Sequence, residues 1–80
     1  MNRGKWALLR ATLTPSGLLL SNVHFEVVYI GSENAVWKKF YEYAYQLENV
    51  DIMDPPSVMT ARGIDPEYGF EIVYRTQRIS

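Results

Sequence analysis

Cysteine is absent from these 80 residues. Its absence removes disulfides, thiol nucleophiles, iron–sulfur ligation and cysteine-bound zinc at once. Histidine occurs once, as His24. A metal site draws on about three protein ligands, and this histidine has no histidine or cysteine companion. No apolar run approaches the roughly 20 residues of a membrane span. The N-terminal stretch M-N-R-G-K-W-A-L-L-R has too short an apolar core for a signal peptide. A cytoplasmic chain with no membrane association is therefore expected. A strong charge of either sign is also missing. The formal net charge is −1, which gives no global electrostatic case for nucleic acid. Finally, there is no G-x-x-x-x-G-K, G-x-G-x-x-G, G-x-S-x-G or H-E-x-x-H. No cofactor, metal or catalytic residue is expected, and the chain reads as a non-enzyme.

What is present is apolar content of 48% with 14% aromatics, six of them tyrosines. That composition folds rather than staying disordered. A chain this short makes one domain, here residues 1–80, burying about 60–65% of its unfolded surface. Charge is uneven along it. Residues 1–40 carry five basic against two acidic side chains, and residues 41–80 carry three against seven.

Residues 32–46, S-E-N-A-V-W-K-K-F-Y-E-Y-A-Y-Q, have the clearest periodicity. Ser32 is an N-cap type and Glu33 suits the positive end of the helix dipole. Val36, Phe40, Tyr43, Ala44 and Leu47 recur at spacings of three and four, so they share one face, with Trp37 on its flank. Lys38, Glu42 and Tyr45 point away, with Lys38 and Glu42 spaced as a weak i,i+4 pair. Tyr41, Tyr43 and Tyr45 cannot all be buried by one helix. Tyr43 is assigned inward, and Tyr41 and Tyr45 are expected at the surface. Asn49 is a residue type that can end the helix in the left-handed conformation.

Around the helix lie strand patterns. Residues 6–14 alternate, Ala7, Leu9, Ala11 and Leu13 on one side and Trp6, Leu8, Arg10 and Thr12 on the other. T-P-S-G then turns the chain. A second strand is expected from about residue 19 or 20 to 30, with Val23, Phe25, Val27 and Tyr29 toward the core; Leu18 to Leu20 break the alternation, and a bulge or a wide hairpin mouth would absorb the extra residue. Residues 48–56, E-N-V-D-I-M-D-P-P, read as a crossover, since the double proline argues against a helix or a central strand. Residues 57–62 and 68–75 are the remaining strands, joined through R-G-I-D-P-E-Y-G. Phe70, Ile72 and Tyr74 face inward on the last of them.

The order is ββαββ. The predicted fold is α+β, a four-stranded antiparallel sheet of two hairpins with one helix packed on one face. The other face is expected to carry Arg10, Thr12, His24, Glu26, Glu71 and Arg75, together with Trp6, Leu8, Val28 and Val73.

With no apparatus for chemistry, the functional expectation is a non-catalytic protein-binding module. One form would be an inhibitor that occludes a working surface of a larger protein, as phage-encoded antagonists do to a host enzyme or defence system. Exposed tyrosines are enriched in interfaces. The expected contact surface is Trp37, Lys38, Tyr41 and Tyr45 with the acidic residues Glu48, Asp51 and Asp54. A homodimer through the sheet edges or the helix-free face is a second expectation. The alternative class is a small nucleic-acid-associated regulator using Trp6, Arg10, His24, Lys38 and Arg75 for stacking and phosphate contacts.

Overall fold

The computed structural model describes residues 4–13, 25–53 and 59–80. The T-P-S-G turn, Leu18 to Leu20, Val23, His24, Asp54, the double proline and residues 57 and 58 lie outside the described residues. The elements are β1 (Trp6–Leu13), β2 (Glu26–Gly31), α1 (Glu33–Ala44), β3 (Glu48–Met53), β4 (Thr60–Ile64) and β5 (Glu71–Arg78). They form an α+β fold with one helix on an open, five-stranded antiparallel sheet of order β2-β1-β5-β4-β3. The chain thus runs ββαβββ, with one strand more than the sequence pattern indicates.

The extra strand is β3, which the double proline had argued into a crossover. The prolines follow Met53 and leave the strand itself untouched. Ile52 pairs with Ala61 and Met53 with Thr60. A register shift between Glu48 and Asp51 accommodates Asn49, whose φ of 54° is left-handed. The predicted αL asparagine is real, but it bends an edge strand. The helix itself ends earlier, at a Tyr45 cap in the ordinary right-handed conformation.

Helix α1 begins as its sequence requires. The Ser32 side chain accepts a hydrogen bond from the Ala35 N–H at 3.2 Å, and Glu33 occupies the first turn. Val36, Phe40 and Ala44 are fully buried, and Leu47 is nearly so. They close over Leu8, Met59, Ala61, Ile72 and Tyr74. On the polar side Lys39, three residues before Glu42, takes the ion pair at 3.5 Å.

Two face assignments are corrected. Leu8 pairs with Thr76 and Arg10 with Tyr74, and Thr76 and Tyr74 are buried on the helix side. Trp6, Leu8, Arg10 and Thr12 therefore lie on the helix side of the sheet, while Ala7, Leu9, Ala11 and Leu13 occupy the helix-free face. Both sets are rich in apolar residues, so alternation alone could not orient β1. In β2, Leu8 pairs with Tyr29 but Leu9 pairs with Val27, leaving Val28 as a bulge. The bulge shifts the parity. Val28 and Tyr29 pack against the core, whereas Phe25 and Val27, expected inside, are 36% and 54% exposed. Glu71, Val73 and Arg75 do lie on the helix-free face, opposite β1's Leu13, Ala11 and Leu9.

The turn between β4 and β5 follows its residue types. The Asp65 side chain accepts from the Tyr68 N–H at 2.7 Å, its carbonyl accepts from the Gly69 N–H at 2.9 Å, and Gly69 has φ 79°. β4 reaches through Gly63 and Ile64, which the sequence pattern assigned to this turn.

Candidate functional site

Helix α1 lies over β1, β2 and β5 more than over β4. Its two flanks therefore meet different surroundings. Lys39 sits 5.6 Å over the Tyr29 ring, so residues 35, 39 and 43 face the β2 side. At 100° per residue, Trp37, Tyr41 and Tyr45 form a stripe on the opposite flank, toward β3.

On that flank the rings are graded by depth. Trp37 and Tyr41 are half-buried and pack against the core, as do Val50 and Ile52 of β3. The Trp37 Nε1–H is buried without a hydrogen-bond partner among the described residues. Tyr41 meets Phe40 edge-on with ring centroids 5.2 Å apart. Tyr45 stacks on Tyr41 at 5.9 Å with the planes 19° apart, and is 68% exposed. Lys38, Glu48 and Asp51 are exposed. Of the residues singled out from sequence, the fold thus brings Trp37, Tyr41 and Tyr45 to one flank, with Lys38 on the outer face of the helix; Glu48 and Asp51 are on the edge strand of that side, but they pair with Ile64 and Arg62 and so face the helix-free side of the sheet.

The other flank holds a groove that the sequence pattern did not reveal. A twelve-residue helix spans about 18 Å, and the eight-residue strands β1 and β5 span about 27 Å. The uncovered ends leave an open depression of about 560 Å³ lined by Arg10, Glu26, Val28, Tyr43, Gln46 and Tyr74. A smaller hollow continues it toward Asp65 and Glu67. Arg10 donates from Nη2 to Glu26 Oε2 at 2.6 Å and from Nε at 3.1 Å. The Glu26 hydrogen bond, opposed by partial burial and assisted by Tyr74, raises the Arg10 pKa above its ordinary value. The guanidinium is thereby fixed in its charged state and already partnered. Tyr43 and Tyr74 meet at 5.5 Å with a tilt of 57°. Tyr43, assigned inward, is half-buried: it packs against the edge of the core and also lines this groove. Finding the groove from sequence required knowing that Arg10 lies on the helix side of the sheet.

The set considered for nucleic acid is divided by this geometry. Trp6 and Arg10 lie on the helix side, and Arg75 lies on the opposite face, 4.6 Å from the Phe25 ring. Arg62, also on that face, is hydrogen-bonded to Glu71, which raises its pKa. Among the described residues no three His, Asp or Glu side chains group to hold a metal ion, and no helix is long and apolar enough to cross a membrane. No family model matches the sequence, and no curated protein or solved structure matches it either.

Proposed function

We propose that this chain is a non-catalytic protein-binding module whose contact surface is the β3 flank of the helix. The observation that carries this is the Tyr41–Tyr45 stack, with one ring held against the core and the other 68% exposed. Such a pair is already ordered, so a partner covering it loses little side-chain entropy and gains the burial of an aromatic surface. Glu48 and Asp51, exposed on the edge strand of that side and turned toward the helix-free face, would meet a basic partner surface that reaches around the edge. One form of such a module is an inhibitor that covers a working surface of a larger protein, in the manner of a phage antagonist of a host enzyme or defence system. A second copy of the chain is a further partner.

Affinity capture with the tagged chain, run after nuclease treatment, tests this reading. A partner retained by the wild type should be lost with Tyr45→Ala and weakened by Glu48→Lys, while Gln77→Ala on the far face leaves capture unchanged. Capture that is unaffected by Tyr45→Ala and Glu48→Lys refutes the flank. Capture abolished by nuclease points to the nucleic-acid class.

A further inference from the structure

The two outer strands of the sheet differ in what they would do to a second strand. Among the described residues, β2 is paired on one side only, with β1. It reads E-V-V-Y-I-G, high in β-formers and without the proline or lysine that commonly blunts an edge. Its single charge, Glu26, is met by Arg10 within the same chain. Val27 and Ile30 are 54% and 53% exposed. They share the helix-free face, because Val27 stands opposite Leu9 and Ile30 opposite Ala7 across the bulge. The opposite edge, β3, is built differently. It carries exposed Glu48 and Asp51 and is bent at Asn49, so a copy of itself laid alongside would meet like charges.

We propose that two copies of this chain pair β2 to β2 in antiparallel orientation, joining two five-stranded sheets into one across a two-fold axis. Antiparallel pairing of identical strands is self-complementary and closed, as an isologous contact must be. Centred on the strand, it sets Val27 of one copy beside Ile30 of the other, twice, and makes the helix-free faces continuous through their apolar part at Val27, Ile30 and Leu9. The two Glu26 residues fall at opposite ends of the paired segment. They lie roughly 17 Å apart at 3.4 Å per residue, beyond the screening length of about 8 Å at physiological salt. A contact built on one strand edge is at the low end of specific interfaces, so association in the micromolar range is expected. This specifies the edge for the homodimer named above and stands apart from the β3-flank reading, since the two use opposite sides of the sheet.

Sedimentation velocity over a concentration series, from low micromolar to several hundred micromolar, is the test. The wild type should rise from the 9.3 kDa monomer toward twice that mass. Val27→Lys and Ile30→Lys should each weaken the dimer at least tenfold, while Met53→Lys on β3 behaves as wild type. Because the chain has no cysteine, Val27→Cys mixed with Ile30→Cys should give a disulfide-linked pair under mild oxidation in far higher yield than Met53→Cys. These smaller changes decide the matter should a lysine variant lose its far-UV circular dichroism. A wild type that stays at 9.3 kDa throughout overturns the proposal. So does a dimer indifferent to both lysines, or cross-linking no better at β2 than at β3.

Discussion

Gly63 lies tight against the connection from α1 into β3, and replacing it by alanine is an exacting test of the packing. A Cβ at this position would stand 2.8 Å from Leu47 Cβ and 3.0 Å from the Glu48 carbonyl oxygen. Neither atom is the far end of a flexible side chain, so relief requires moving the connection from α1 into β3. Two effects oppose each other. Overpacking in a close-packed region costs about 1–3 kcal/mol. Alanine also restricts the unfolded chain, which stabilises by about 0.4–1 kcal/mol wherever the native backbone accepts it. The φ of Gly63 is not in the left-handed region, so that gain is available in full. The first effect is the larger, and the midpoints of the two ranges leave a net loss of about 1–2 kcal/mol. For a domain of this size that lowers the thermal midpoint by about 5–15 °C. Urea denaturation should show a reduced midpoint with an unchanged slope, because the surface exposed on unfolding is the same. A variant as stable as the wild type, or more stable, would mean that only the unfolded-state effect operates. The close approach of Leu47 to β4 would then be refuted.

Other substitutions probe the remaining contacts. Thr76 is fully buried, and its hydroxyl accepts from the Met59 N–H at 3.1 Å. Thr76→Val keeps the volume but orphans that donor, and should cost about 1–3 kcal/mol by urea titration. Phe40→Ala should cost about 3–5 kcal/mol, a large share of the roughly 4–12 kcal/mol available to a chain of this length. Tyr45→Ala should stay within about 0.5 kcal/mol of wild type, and a reversed order would sink the assignment of the dry helix face. Trp37→Phe removes a buried N–H that has no partner among the described residues, so it should lower stability by less than about 1 kcal/mol despite the lost ring area. A loss of several kcal/mol would reveal an acceptor for that donor.

The helix was legible because its signals are local. A serine cap and apolar residues at spacings of three and four depend on nothing beyond one turn. The strands were legible where turn chemistry bounded them, as at Asp65 and Gly69. β3 was not. Its apolar content is Val50, Ile52 and Met53 on an otherwise polar run, and its identity as a strand comes from pairing with β4. The orientation of β1 was hidden for another reason: W-A-L-L-R-A-T-L offers an apolar set on each face. Nothing in E-V-V-Y-I-G marks Val28 as the bulge that reverses parity within β2. The site followed the same division. The exposure of Tyr45 follows from helical angle alone, whereas the groove at Arg10 depends on the orientation of β1.

The two flanks of the helix also differ in what a partner would have to undo. In the groove, Arg10 and Glu26 already satisfy each other, Tyr74 supports the guanidinium, and Tyr43 leans on Tyr74. A molecule entering there must desolvate an ion pair, a cost of several kcal/mol for each charge unless it replaces the water with equally good hydrogen bonds. On the β3 flank the exposed ring of Tyr45 is apolar surface in water, and covering it is favourable at about 25 cal/mol for each Å². The exposed carboxylates of Glu48 and Asp51 lie on the same edge but turn toward the helix-free face, so covering the ring leaves their solvation intact. Polar groups that are satisfied internally hold a fold together, and ordered apolar groups left in water bind. By that criterion the groove serves the fold, and the tyrosine stack is the surface better suited to the contact proposed above.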